Sequence, residues 1–468
     1  MTSTSGKGLA GKFYRLLPLM VIMALLLSAC GAEPAAQPTA TTAAVEQPTA
    51  TTAAMEAPTA TTAAMEAPTA TTAASVDATA TKPKPVASKE GTLTLWVHEG
   101  AVGAVEKVSA DFTSKYNVQV SVQQVGFGDI RDQLKLAGPA GEGPDIIVGA
   151  HDWLGELVQN GLLDPIDLGA KGEMLDPVAL QAFTYEGKVY GLPYGLEAIA
   201  LMYNKDLVPT PPTTWAELKT IAKQLQDEKK VDQGYILQSG DPYHAYPIIT
   251  GFGGYVFGRD AAGNYDPTNV GLDSVGGKAA FKEIDQMIKD GLLRKDITGA
   301  IQQSLFLEGK SAMWFAGPWT LNDIRKSGIK YGVAPIPSMT QKAQPFVGAQ
   351  GFMVSQYGKN KDVAKAFLTE FLATDEAMQA MYDSDPRVPA WKSVQAKVFA
   401  STKPEDVDIK AFAQSAGNGV PMPAIPQMSA VWTSWTKAID LVFTQAQDPE
   451  GAITDASKTI RDEIAKIK

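Results

Sequence analysis

The feature that most constrains this chain is a short run, residues 198–203 (Ala-Ile-Ala-Leu-Met-Tyr), apolar at every position and without helical period. Bounded by Gly195 on one side and Asn204-Lys205-Asp206 on the other, it reads as a strand buried on both faces. One carboxylate, Glu197, opens it. Beyond Pro209, Pro211 and Pro212, the string Thr214-Trp215-Ala216-Glu217 supplies a capping box, because Thr214 can accept from the Glu217 amide while Glu217 reaches back. A helix with Leu218, Ile221, Ala222 and Leu225 on one stripe is predicted to follow.

The same alternation of strand and helix recurs on both sides of this run. Residues 91–97 alternate as a first strand, and His98, Glu99 and Gly100 form the loop beyond its carboxyl end, where open α/β sheets bind ligands. Val102, Val105, Val108, Phe112 and Tyr116 then mark a helix, and Val118, Val120 and Val122 a second strand. This order predicts α/β layers with a mainly parallel sheet. Residues 144–148 are another buried strand, after which Asp152 is placed to cap a helix or to face a cleft. Further strands are read at 235–238 and 311–316, and residues 346–354 are expected to cross back toward the first sheet. Met428, Val431, Trp432, Trp435, Ile439, Val442 and Phe443 share one stripe of a long helix, on which Trp435 is assigned to the core.

Of the 468 residues, the 380 or so that follow the first ninety exceed one hydrophobic core, so two lobes are expected. A formal net charge of -10 leaves no basic field for nucleic acid. One cysteine excludes an internal disulfide, and three scattered histidines exclude a histidine-rich metal site.

The amino terminus reads as an address. Lys7, Lys12 and Arg15 precede an apolar stretch, 16–27, too short to span a bilayer and suited to a signal-peptide core. It ends in Leu27-Ser28-Ala29-Cys30, which resembles the bacterial lipoprotein box; the alternative is an uncleaved membrane anchor. Residues 1–29 are thus expected to be a lipoprotein signal peptide and Cys30 the lipidated first residue of the mature chain. From 30 to 89 the unit PTATTAA recurs from Pro38, Pro48, Pro58 and Pro68. So little apolar surface cannot offset an ordering entropy of about 1–2 kcal/mol per residue, which predicts a disordered Thr/Pro/Ala stalk. Such a stalk reaches about 190 Å as polyproline and about 40 Å as a flexible coil. Threonine beside proline also suits O-glycosylation.

Five strings in order carry a specific resemblance: GPDIIVGAHDWLGELVQNGLL, LPYGLEAIALMYNKDLVPTPPTTWAEL, DPYHAYPIITGFGGYVF, FAGPW and VPMPAIPQMSAVW. Together they resemble the extracellular solute-binding proteins of ABC sugar importers, in the maltose and maltodextrin-binding branch, over residues 90–468. The resemblance implies a periplasmic-binding-protein-like α/β fold, with two α/β lobes built from discontinuous segments and joined by a hinge. The expected division is 90–196 plus 350–404 for the first lobe and 197–349 plus 405–468 for the second. It implies a monomeric, lipid-anchored extracytoplasmic receptor that closes on an oligosaccharide, with maltose or maltodextrin the leading guess, and presents it to the transmembrane subunits of a permease. No cofactor is called for.

A sugar ring needs flat aromatic platforms and acceptors for its hydroxyls, and eight tryptophans permit that arrangement. The resemblance carries stacking onto Trp319 and Trp432, each of which could equally be core. It places an aromatic at Tyr243, a carboxylate at Glu197, and Asp241 where the family has a glutamate. Glu197 could instead simply pair with a lysine or arginine. Glu99, Asp152 and Trp153 complete the expected ligand-binding set. The chain departs from the best-known members, which have tryptophan at Gly149, arginine at Trp153, an Asp-Lys pair where this chain reads Glu99-Gly100-Ala101, and tyrosine and arginine at Thr433 and Thr436. A platform displaced from position 149 to Trp153 is one reading of the change. Two other functions compete: a glycosidase using Glu197 and Asp241, and the same fold binding a polyamine or other organic cation.

Overall fold

The computed structural model describes residues 92–467, so the expected signal peptide, Cys30 and the stalk lie outside the described residues. The main strands of the two larger sheets are β1 (Thr92–Val97), β2 (Gln119–Gln124), β3 (Ile146–Ala150), β4 (Gly191–Glu197), β5 (Ala200–Asn204), β6 (Gln233–Ile236), β7 (Ser311–Ala316), β8 (Tyr331–Ala334), β9 (Phe346–Ser355), β10 (Val388–Pro389) and β11 (Val420–Pro421). The first sheet has the order β10-β4-β9-β3-β1-β2, with β11 beside β9, and the second has the order β8-β5-β7-β6. Helices cover both, giving a two-lobed α/β architecture.

The buried run behaves as its composition dictates, with one correction. Ile199, Leu201 and Tyr203 enter one hydrophobic core and Ala200 and Met202 the other, so period-two alternation puts apolar side chains on both faces. Glu197, however, does not open this strand. It closes β4, and only residues 198 and 199 separate β4 in the first sheet from β5 in the second. β4 is hard to read because Gly191, Pro193 and Gly195 resemble a turn. Its glycines instead make room for neighbours, since a Cβ at Gly195 would overlap the stem of Arg387 and one at Gly191 the ring of Phe183. The capping box forms as expected, with Thr214 accepting from Glu217 N at 3.2 Å and Glu217 accepting from Thr214 N at 3.1 Å.

The first sheet is parallel only in part. β1 pairs in parallel with β2 and β3, whereas β9 runs antiparallel to both β3 and β4. The reason is topological: β9 returns from the second sheet, and a returning strand inserted between two outgoing ones must oppose them. Near its start β9 also receives β11, where Phe346 pairs with Val420 and Val347 with Pro421. Two chain passages therefore run side by side where the sheets meet. The helix Pro404–Ala416 packs Ile409 and Phe412 into the core shared by the first sheet and one face of the second, and Arg325 of the second lobe donates to Asp408 at 3.0 Å. Ser415 Oγ donates to Ile199 O at 2.6 Å, tying this helix to the first passage.

His151 joins the passages from the other side. Its Nδ1 accepts from Ala349 N at 3.1 Å, so Nε2 carries the proton and donates to Met422 O at 3.0 Å. Burial pushes this imidazole down to about 4, against the two backbone hydrogen bonds. The unfolded chain takes up a proton near 6.5 and the folded one only near 4, so the stability His151 confers is present above 6.5 and lost between those values as pH falls. The advantage of the wild type over His151→Gln, which does not titrate, is expected to shrink by up to about 3 kcal/mol between about pH 7 and pH 4. Denaturant melts of both proteins across that range check it; a gap independent of pH would remove His151 from this role.

Candidate functional site

The carboxyl end of β4 carries a buried cluster of charge. Arg387, just before β10, donates from Nη1 to Glu197 and from Nε to Asp385 Oδ2 at 2.9 Å. Gln350, midway along β9, donates from Nε2 to the other Glu197 oxygen at 3.0 Å. Tyr194 of β4 donates its hydroxyl to Asp385 at 3.0 Å. Side-chain exposure is 3% for Arg387 and Asp385 and 9% for Glu197, so the group is essentially dry. Burial pushes the Asp385 carboxyl up, against the hydrogen bond from Tyr194. Two carboxylates thus share one guanidinium, and Glu197 is in part the ion-pair partner that its sequence position allowed.

The second sheet faces this cluster with aromatic side chains. Trp319 follows β7 in the short turn Pro318–Thr320, and its ring lies over Gly317, where a Cβ would overlap it. Around that indole stand Tyr243 at 6.1 Å, His244 edge-on at 6.0 Å and the Arg387 guanidinium at 5.8 Å between centres. Tyr243 also stacks on Phe346, the first residue of β9, at 6.1 Å and 27°. Trp432, on the helix Ser429–Phe443, meets the edge of Phe346 at 6.1 Å and lies parallel to Trp435 at 6.1 Å. Trp435 is fully buried, while Trp319, Trp432 and Tyr243 keep part of their surface exposed.

Asp241 sits at the N-cap of the helix Pro242–Gly251 rather than in a free turn. It accepts from His244 N at 3.1 Å and pairs with His244 Nδ1 at 2.5 Å. Burial would raise this carboxyl, yet the His244 ring and the amides of His244 and Tyr243 hold it below its ordinary range. Tyr243 OH is buried with no hydrogen-bond partner among the described residues, and burial pushes the phenol up.

Past β3 the chain makes a single 3-10 turn, His151–Trp153, before the helix Leu154–Gln159. Asp152 does not cap that helix, because the extra turn moves the N-cap to Trp153, which has no capping side-chain bond. Its carboxylate instead turns toward the second lobe. Burial pushes it up to about 6, against the positive charge of Arg131 and the Trp432 side chain beside it. Asp152 Oδ1 has no hydrogen-bond partner among the described residues. Trp153 is 4% exposed and lies flat over Gly149, where a Cβ would overlap its ring. Phe127 covers Trp153 at 4.9 Å and meets the His98 ring at 5.4 Å. Glu99 is exposed in the turn after β1 and stands outside this grouping.

Asp152, Glu197, Tyr243, Trp319 and Trp432 are therefore brought together, with Asp241 and Trp153 supporting their neighbours. Sequence reasoning missed Arg387, Asp385, Gln350 and Phe346, and named His98 only as part of the loop beyond the first strand. A lone glutamine inside an otherwise apolar strand, and an arginine beside Pro386, were the available signals. A surface hollow of about 590 Å³ lined by Ile166, Leu168, Leu180 and Val189 contains none of these residues.

Comparison with known proteins agrees with this architecture. Residues 107–411 match the family model described as bacterial extracellular solute-binding protein. A galactooligosaccharide-binding protein of Bacillus subtilis is 30% identical over 81% of this chain and 90% of its own length. A maltodextrin-binding protein of the same organism is 31% identical over 81% and 91%. A maltooligosaccharide ABC transporter solute-binding lipoprotein of Streptococcus pneumoniae is 28% identical over 82% and 91%. With two α/β sheets joined by adjacent passages and the polar and aromatic groups collected where they meet, the chain belongs to the bacterial extracellular solute-binding protein family.

Proposed function

We propose that this protein captures a neutral oligosaccharide between its two lobes and delivers it to the membrane subunits of an ABC importer. The observation that carries the reading is the meeting of three partly exposed aromatics, Tyr243, Trp319 and Trp432, with buried polar atoms of Asp152 and Tyr243 that have no hydrogen-bond partner among the described residues. Indole and phenol rings supply flat area for the C–H face of a sugar, and the unpaired oxygens suit its hydroxyls. Maltodextrins and galactooligosaccharides are the first candidates, since relatives of this chain are named for them. Trp153 over Gly149 acts on this reading as the platform the sequence displaced by four residues, and Glu99 as a rim contact.

Lobe assignments of 90–196 plus 350–404 and 197–349 plus 405–468 fit such a device, with the passages between sheets as its hinge. Cys30, in its lipoprotein-like context, serves as the membrane anchor, and the Thr/Pro/Ala stretch as a spacer from it. A lipoprotein among the relatives supports that part. Glycosidase chemistry gains no support, because the two oxygens of Glu197 are held by Arg387 and Gln350 and those of Asp241 by His244. An organic cation is also disfavoured, since Arg387 already stands against the carboxylates such a ligand would need.

Thermal unfolding and calorimetry with maltotriose, β-1,4-galactotriose and spermidine test the reading. A bound trisaccharide at one hundred times its dissociation constant is expected to add about 2.7 kcal/mol to stability. Its affinity should hold from low to high salt; a response to spermidine alone, fading as salt rises, would replace the sugar with a cation.

The shared guanidinium makes a second, separable prediction. Arg387→Met leaves two carboxylates buried together and is expected to lose about 3–5 kcal/mol of stability. Glu197→Gln leaves Arg387 with Asp385 and should lose only about 1 kcal/mol while weakening saccharide binding. Equal losses of stability in denaturant melts would show that Asp385 does not hold Arg387.

A further inference from the structure

We infer that His244 is a hydroxyl-reading residue on the second-lobe side of the cleft, its imidazole held by Asp241 through Nδ1 and its Nε2 left for a sugar hydroxyl beside the Trp319 platform. The inference rests on the saccharide reading and adds a residue and a division of labour that the reading does not contain.

The setting of the ring follows from the chemistry of its partner. Asp241 is the N-cap of the helix Pro242–Gly251, and both of its oxygens go to one residue: Oδ1 accepts from His244 N at 3.1 Å and Oδ2 meets His244 Nδ1 at 2.5 Å. Burial works against charge on this carboxyl, but the His244 ring and the adjacent amides hold it below its ordinary range, so it is ionised and can only accept. Nδ1 must therefore carry a proton, and Nε2, on the other side of Cε1, is the nitrogen left over. It hydrogen-bonds no other described residue and, unlike Tyr243 OH, is not buried; the His244 side chain is 17% exposed. Asp241 is thus a positioning residue, acting on a ligand through the ring that it fixes.

That ring stands directly among the groups the saccharide reading uses. It meets the Trp319 indole edge-on at 6.0 Å and 79°, and the Tyr243 ring at 5.5 Å and 76°, while Trp319 and Tyr243 are themselves 6.1 Å apart. Gly317 closes one face of Trp319, since a Cβ there would overlap the indole, which leaves the other face to carry a sugar. A pyranose on that face has the neighbours of the indole at its rim, and His244 brings a hydrogen-bonding nitrogen to the rim from the second lobe. Arg387, at 5.8 Å on the first-lobe side, is 3% exposed and has Nε and Nη1 committed to carboxylates. A hydroxyl both donates and accepts, so it serves Nε2 whether the ring is neutral or charged. An ammonium serves only the neutral form and an ether oxygen only the charged one. The chemistry left at this edge of the platform therefore favours a ring with free hydroxyls.

The test uses calorimetry of the full chain with maltotriose and with β-1,4-galactotriose, together with nitrogen NMR of the three imidazoles. His244→Phe keeps a ring against Trp319 and Tyr243 and removes the nitrogens; it is expected to weaken the bound sugar about tenfold, and His244→Gln to recover part of that loss. In the wild type, saturation with the sugar that binds is expected to move the Nε2 resonance of His244 while Nδ1 keeps its proton. Asp241→Asn, which keeps a capping acceptor without the charge, is expected to shift the ring toward the form protonated on Nε2; an unchanged tautomer would remove Asp241 from the positioning role. The thermal midpoint without sugar reports whether each variant folds, and the wild-type resonance needs no variant. Unchanged affinity in His244→Phe, equal losses in His244→Phe and His244→Gln, or an Nε2 resonance that stays in place with sugar bound would overturn the role of His244 while leaving the saccharide reading standing. Heat from neither sugar with the wild type would overturn that reading and this role with it.

Discussion

One guanidinium held between two carboxylates fixes the place where this chain leaves its first sheet. Glu197 ends β4, Arg387 precedes β10 and Gln350 lies in β9, so side chains clamp three neighbouring strands beyond their backbone ladders. Buried charge of this kind is expensive to desolvate and is a poor source of net stability unless every polar atom is matched. Here the pairing is close but not balanced, since two carboxylates face one cation. Its value is positional: residues 198 and 199, which lead into the second sheet, start from a point held by side chains as well as by the backbone.

Glycine has a second, less visible part in the site. Gly149, Gly195 and Gly317 each lie under a large side chain, respectively Trp153, Arg387 and Trp319, and in each case a Cβ would overlap it. A flat ring resting on bare backbone is located on one face by van der Waals contact and leaves its other face free. Trp319 is thereby fixed without being enclosed, whereas Trp153 is also covered by Phe127. The same device explains how Trp153 comes to occupy space above Gly149, since the side chain removed at one position makes room for the one added at the other.

What could be read from the sequence follows from how local each feature is. The strand at 200–204, the capping box at Thr214 and the stripe on the helix Ser429–Phe443 depend on neighbours in sequence and were legible. Tyr243, Trp319, Trp432, Glu197 and Asp152 were visible as residue types at the ends of elements, and the fold gathers them. Arg387 and Gln350 were not, because their significance lies in a carboxylate 190 and 153 residues away. β4 is hard to see in the sequence for a related reason. Gly191, Pro193 and Gly195 have the composition of a turn, and only the side chains of Phe183 and Arg387 reveal why they are small. Asp152 looked like a helix cap because the 3-10 turn that displaces the cap has no clear sequence mark.

The two lobes bring different chemistry to the place where they meet. The first sheet and its loops carry His98, Asp152, Glu197, Gln350 and Arg387, while the second side carries Tyr243, Trp319 and Trp432. On the function proposed, neither half holds a sugar well alone. A polar floor without a wall leaves its hydrogen bonds in competition with water, and an aromatic wall with a single imidazole has little means of choosing among hydroxyl patterns. Bringing them together removes water from both at once, so each hydrogen bond forms in a drier medium and is stronger for it. Ligand affinity and lobe closure then become one equilibrium, and the passages pinned by His151, Ser415 and the Glu197 cluster set how much of the binding energy is drawn on to close the lobes.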